Sequence, residues 1–213
     1  ANAAILHRAR GSQTRDPLVA DALRARTQAE VAAGQAEWRS LPSDLSGVVL
    51  SPRFPADEGW RFRDGQWHRK VRAIDDLTLS EVNGATALPE RVVHETLDDL
   101  AAGAQCLVAG GASAKDIRFR KDDVREAYKT LPLQGDHLPF AAAVTSESVE
   151  QGQFLQLLCC PFGAKASVHA WQRVGAAFQS ILLGLFSIVY PRFVDDFFGT
   201  DAECAHEWGD SAL

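Results

Sequence analysis

Methionine is absent from this 213-residue sequence, and the first residue is alanine. We therefore expect a piece of a longer gene product. Cysteine is scarce: Cys106, Cys159, Cys160 and Cys204 show no C-x-x-C spacing, which excludes a zinc knuckle. Cys159-Cys160 lies in the apolar run LQLLCC and reads as two small buried hydrophobes. The chain reads as disulfide-free and intracellular, with nothing to separate nucleus from cytoplasm. The opening ANAAILHRAR has no apolar core of a signal peptide. The longest apolar run, Ile181–Val189, is far short of the roughly 20 residues of a membrane span, so no membrane partner is expected. The six histidines, His137 and His169 included, lack metal-ligand spacing. Gly110-Gly111-Ala112-Ser113 has no G-K-[ST] after it and is not a phosphate-binding P-loop. Repeats and low-complexity segments are also missing.

What is present is ordinary for a globular protein: 46% hydrophobic and 23% charged residues. The net charge of −6 argues against a basic nucleic-acid coat protein but not against an enzyme that pairs an acidic site with a basic channel. Arginine outnumbers lysine, which suits bidentate phosphate contacts. Composition and a partial apolar stripe (Leu18, Ala22, Val31, Trp38) predict one amphipathic helix over Pro17–Ser40. Strand-like text starts at Val48, Asp64-Gly65 signals a hairpin turn, and Asn83-Gly84 a further turn. Pro89 opens a second predicted helix, closed by Gly110-Gly111. Strands follow at Phe140–Thr145 and Phe154–Cys160, a break at Pro161-Phe162-Gly163, and the longest helix at Ala166–Leu185. Ile188–Val194 and Phe197-Phe198 read as strands around an acidic tip. Helices and strands mix without a regular βαβ repeat, so the expected class is α+β.

Four Asp-Asp pairs stand out. Asp98-Asp99 falls in a predicted helix, on its solvent side. Asp75-Asp76 ends a strand carrying Lys70 and Arg72 and reads as an ion-pair partner. Asp122-Asp123 and Asp195-Asp196 have apolar neighbours, where ionised carboxylates are costly and need compensation. Carboxylates converging from a hairpin tip and an adjacent strand suit Mg²⁺, a hard cation that takes oxygen ligands and leaves positions for phosphate. Arg53, Arg61, Arg63, Arg69, Lys70 and Arg72 interleave with Phe54, Trp60, Phe62 and Trp67, a pattern for phosphate contact and base stacking.

Four motifs in order, spanning Val48 to Thr200, resemble reverse transcriptases. Asp123-Val124-Arg125-Glu126-Ala127-Tyr128, continuing to Leu131-Pro132-Leu133, looks like the palm segment D-x-x-x-A-Y with its apolar-Pro run. Pro161-Phe162-Gly163-Ala164-Lys165-Ala166, then Trp171-Gln172-Arg173, is similar to P-F-G-L-x-x-A-P with a downstream F-Q-R. Phe193-Val194-Asp195-Asp196 matches Y/F-x-D-D, and Lys70-Val71-Arg72 through Asp76 to Asn83 resembles the fingers segment K-x-R-x-x-x-D…N. The resemblance implies a right-hand polymerase fingers and palm, with an antiparallel palm sheet packed on helices and the thumb absent. It divides the chain into a helical extension, residues 1–46, and a fingers/palm domain, residues 47–213, truncated after the Asp-Asp hairpin. It implies metal-dependent transfer of deoxynucleotides to a primer 3′-hydroxyl on an RNA or DNA template, as in a retroelement. Asp123, Asp195 and Asp196 are then catalytic; Asp123, Asp195 and the Val124 carbonyl ligate two Mg²⁺ or Mn²⁺ ions. Arg72 and Lys70 contact the triphosphate, Tyr128 lies under the sugar, and Gln172, Phe162 and Gly163 help hold template and nucleotide. A ring at Tyr128 disfavours a 2′-hydroxyl, and Val194 replaces the glycine common before the Asp pair of RNA polymerases; both set an RNA-copying RNA polymerase behind DNA synthesis.

The sequence departs from the pattern at Ala164, Ser167, Trp171 and Phe193, where the family favours leucine, proline, phenylalanine and tyrosine. Without a thumb, little processive synthesis is expected, since backbone contacts dominate nucleic-acid affinity. A different class of function therefore stays open at this stage: an inactive remnant or nucleic-acid-binding module with the same fold.

Overall fold

A computed structural model describes residues 2–11, 14, 16–186 and 188–202. They fall into two compact units: unit 1 is Ala1–Leu88 with Tyr128–Ser167, unit 2 is Pro89–Ala127 with Val168–Leu213. The class is mixed α and β, as expected.

Unit 1 is built on a five-stranded sheet of order β1-β6-β5-β2-β3. Its strands are β1 (Ala36–Ser40), β2 (Leu50–Arg63), β3 (Gln66–Asp75), β5 (Ala142–Val144) and β6 (Gln153–Leu157). Only β2 and β5 pair in parallel; the other pairs are antiparallel. Alternation along the strands separates two small cores. Leu50, Ala142, Val144 and Phe154 meet Ile5 and Ala9 of helix α1 (Asn2–Gly11) and Val149 of α5 (Ser146–Glu150). Ala143, Leu155 and Leu157 gather with Ala36 and Ala141. Helix α3 (Val82–Ala85) stands where Asn83-Gly84 predicts a turn.

The helix predicted over Pro17–Ser40 is two elements. Helix α2 runs Pro17–Ala32, with Pro17 in the first turn and the Asp16 carboxylate capping the Leu18 N–H at 2.9 Å. Gly34 then takes φ +70°, and residues 36–40 pair with β6 as β1. The buried stripe of α2 is Val19, Leu23, Thr27 and Glu30, while Leu18 is 54% exposed. Hydrophobic periodicity selects the wrong face because two of the four inward positions are polar. Residues 1–46 thus contribute a strand to the sheet as well as two helices.

Unit 2 has a three-stranded sheet of order β4-β8-β7, made of β4 (Ile117–Asp123), β7 (Arg192–Phe193) and β8 (Asp196–Ala202), with helix α4 (Leu97–Ala109). Helix α6 (Lys165–Phe186) begins in unit 1 and continues through unit 2. Helix α4 starts eight residues after Pro89, at Leu97, behind the N-cap Thr96, which forms a capping box with Asp99. The Asp98-Asp99 pair thus supplies a helix cap. Only residues 192 and 193 of the strand predicted over Ile188–Val194 pair as β7.

Candidate functional site

The residues singled out by sequence divide between the units. Asp123, Val124, Gln172, Asp195 and Asp196 belong to unit 2; Lys70, Arg72, Tyr128, Phe162 and Gly163 belong to unit 1.

In unit 2, β4 and β8 pair antiparallel so that Asp123 lies directly opposite Asp196. Residues paired this way share a face of the sheet, and like charges in that position destabilise it. The β7–β8 hairpin pairs Phe193 with Asp196, leaving Val194-Asp195 as its two-residue turn. The Val124 N–H donates to the Asp195 carbonyl at 3.2 Å, tying the end of β4 to that turn. Val194 has φ +58°, a strained conformation for a β-branched residue. Two donors hold its carbonyl, the Trp171 indole N–H and Arg192 Nη1, each at 2.8 Å. A phenylalanine at 171 could not make the first bond. Arg192 is fully buried, and burial pushes its pKa down against the opposing pull of Glu95. It bonds Gln179 Oε1 and the Gln172 carbonyl, both at 3.3 Å. A Cβ on Gly175 would lie 2.5 Å from Arg192 Nε, so glycine makes room for this side chain.

Lys121 is the residue that sequence reading passed over. It sits two positions before Asp123 on β4, hence on the same face, and its Nζ lies 2.8 Å from Asp196 Oδ2. The bond to Asp196, with Asp123 and Asp195 adding to it, raises the Lys121 pKa. The period-two spacing from Asp123 was the available signal. Among the described residues, no three histidine, cysteine or acidic side chains already form a metal cage. The side chains offered by this sheet face and its turn are carboxylates, the oxygen chemistry that a hard divalent ion takes, and the Lys121 ammonium is paired with one of them. Asp122 points to the other face, where its carboxylate accepts from the Tyr190 hydroxyl and from Arg120 Nε. Gln172 donates its side-chain amide to the Val93 carbonyl at 3.0 Å.

In unit 1, Phe162, Tyr128 and Arg72 come together. The Phe162 ring meets Tyr128 edge-on at 5.2 Å, and the Arg72 guanidinium lies over it at 5.5 Å. The turn carrying Phe162 is fixed from three directions. Its carbonyl accepts from the Asp75 N–H at 3.2 Å. The buried Asn83 amide donates to the Gly163 carbonyl at 2.8 Å and accepts from the Lys165 N–H at 2.9 Å. Gly163 has φ +105°, and a Cβ there would sit 2.1 Å from the Asp75 carbonyl oxygen. Lys70 and Arg72 are held by Glu58, at 2.7 and 2.9 Å. The Glu58 carboxyl is pulled below the ordinary range, chiefly by its bond to Lys70.

The β2–β3 hairpin sorts the basic and aromatic residues that sequence only interleaves. Asp64-Gly65 forms its turn, both residues at positive φ. A bulge between Asp57 and Trp60, with Gly59 at φ +86°, inserts one extra residue into β2. Beyond it the parity of β2 reverses. Arg61 pairs with His68 and Arg63 with Gln66, on the face that also carries Lys70 and Arg72. Trp60, Phe62, Trp67 and Arg69 take the other face, where Arg69 lies over the Trp60 ring at 5.0 Å.

Arg53 does not belong to that basic surface. It is buried and forks onto Asp75 at 2.7 and 3.0 Å, with Nη1 on Glu30 at 2.9 Å. Lys129 Nζ adds a third cation-anion approach, 3.4 Å from Glu30. Burial pushes the Glu30 carboxyl up, but Arg53 and Lys129 overcome this and leave it below its ordinary value. Asp75 is thus an ion-pair partner as expected, though of Arg53 rather than of Lys70 or Arg72. Cys106, Cys159 and Cys160 are free thiols; Cys204 lies outside the described residues.

No family model and no curated protein matches the sequence. The fold is similar to that of a foamy viral protease-reverse transcriptase, solved in complex with double-stranded DNA (TM-score 0.61, 14% identity). The likeness covers 93% of this chain and 29% of that one. The fold is therefore reverse-transcriptase-like. Among the described residues no helix is long and apolar enough to cross a membrane.

Proposed function

We propose that this chain is the fingers and palm part of an RNA-directed DNA polymerase that adds deoxynucleotides to a primer 3′-hydroxyl. The observation that carries the reading is the strand register of unit 2: Asp123 opposite Asp196, with Asp195 in the adjoining turn. Asp123 and Asp196 directly opposite each other are unfavourable without a cation, and an ion bound at a phosphoryl-transfer site would supply one. Asp123, Asp195 and the Val124 carbonyl would hold two divalent ions, Mg²⁺ or Mn²⁺. Bound there, such ions stabilise the attacking and leaving oxygens of nucleotidyl transfer.

The protein's own groups do the rest. Trp171 and Arg192 fix the Val194 carbonyl, and so the turn on which Asp195 rides. Arg72 and Lys70 supply positive charge to a triphosphate once Glu58 yields them. Tyr128, backed edge-on by Phe162, presents a ring that excludes a 2′-hydroxyl. The face bearing Arg61, Arg63, His68, Lys70 and Arg72 offers a track for a nucleic-acid backbone. The double-stranded DNA of the structural neighbour is in keeping with such a partner.

Single-nucleotide incorporation on a primed RNA template tests the proposal. Deoxynucleotides with Mg²⁺ or Mn²⁺ are expected to extend the primer, and Asp195→Asn to reduce extension to background. Undiminished extension by Asp195→Asn would remove the metal assignment. A preference for ribonucleotides would remove the role given to Tyr128.

A further inference from the structure

We infer that Lys121 is a built-in counter-ion of the carboxylate cluster, which competes with the divalent cation and thereby sets the affinity for it. The inference rests on the polymerase reading of Asp123 and Asp195, and it concerns a residue which that reading does not need. Three observations support it. Register puts Lys121 on the same sheet face as Asp123 and diagonal to Asp196. Its ammonium is in ion-pair contact with Asp196 at 2.8 Å. Its ammonium also lies over the ring of Phe198, the residue directly opposite it on β8, with Nζ 5.9 Å from the ring centroid. The side chain of Lys121 is 56% exposed, so the ammonium can swing into solvent without disturbing the core.

The consequence is an exchange of cations. Without a divalent ion, Lys121 relieves the repulsion between Asp196 and the carboxylate paired with it, and the turn keeps its shape. When a divalent ion enters at Asp123 and Asp195, it meets the charge of the ammonium paired with the neighbouring Asp196, and the two cations repel. Lys121 therefore weakens metal binding while stabilising the metal-free site. It is a positioning residue and takes no part in the chemical step. Arginine would keep the charge, whereas methionine would keep the length and remove the charge.

Mn²⁺ binding, followed by the loss of the free-ion paramagnetic resonance signal, reads this directly without any activity assay. Lys121→Met is expected to bind Mn²⁺ about three- to tenfold more tightly than wild type. Lys121→Arg should stay near wild type, and the gain in Lys121→Met should shrink as monovalent salt rises. Equal or weaker Mn²⁺ binding by Lys121→Met would overturn the inference. Asp123→Asn and Asp195→Asn separate this from failure of the functional reading. If they lose Mn²⁺ while Lys121→Met is unchanged, only the role of Lys121 falls. If they bind Mn²⁺ like wild type, the carboxylate site itself falls, and the inference with it.

Discussion

Gly163 has no room for a side chain, because the Asp75 carbonyl occupies the position of its Cβ and its φ is +105°. Gly163→Ala is expected to cost about 1–3 kcal/mol in strain, with more if the turn must shift. Urea unfolding measures that cost, and an unchanged midpoint would show the turn to be slack. The same scale explains what sequence reading left out. Trp171 looked like a divergent aromatic, yet its indole N–H bonds the Val194 carbonyl. Arg192 read as strand, yet it is a fully buried cation on that same carbonyl. Neither role has a sequence signature, because each depends on a backbone oxygen that only the folded turn presents.

At the scale of elements, buried charges join α2, β2, β3 and the turn at residues 127–130. Glu30 from α2, Arg53 from β2, Asp75 from β3 and Lys129 make the chain of contacts. Removing one member of a buried pair costs about 3–5 kcal/mol, since its partner stays uncompensated. Glu30→Gln should therefore be destabilised near neutral pH. The pH dependence follows from the depressed pKa of Glu30. A depressed carboxyl contributes stability that is complete above its unfolded value, about 4.3, and is lost as pH falls through the folded value. Wild type should lose more stability than Glu30→Gln as pH falls from about 5 to about 3. Urea titrations at those values check it; parallel losses would place the acid sensitivity elsewhere.

At the scale of the whole molecule, a net charge of −6 means that the proposed nucleic-acid binding would rest on local charge, not on the overall field. The hairpin face with Arg61 and Arg63 is where that charge lies clear of the aromatic residues. Replacing both with alanine should weaken single-strand binding and flatten its salt dependence, lowering the slope of log K against log salt by about 0.7 for each arginine. Fluorescence anisotropy with a labelled oligonucleotide across a salt series measures it. An unchanged slope would mean that these arginines do not touch phosphate.

Much of this organisation is local and readable in the chain itself. Asp64-Gly65 dictates the hairpin turn, Gly110-Gly111 ends α4, and apolar density gives α6 nearly to its ends. The apolar neighbours of Asp122-Asp123 and Asp195-Asp196, and the motifs that resemble reverse transcriptases, single out these carboxylates in the sequence, and the two-residue turn at Val194-Asp195 obeys a short-range rule. Tertiary structure decided the rest. One inserted residue near Gly59 turned Arg61 and Arg63 to one face of the hairpin and Trp60 and Phe62 to the other. Glu30 could face inward only because Arg53 and Lys129 came from distant segments to meet it. Lys121 became a partner of Asp196 only when β8 was laid beside β4. Periodicity reports what a segment prefers by itself; it does not reveal charges and backbone carbonyls that other segments bring, and those set which polar residue is buried and which carboxylate is paired.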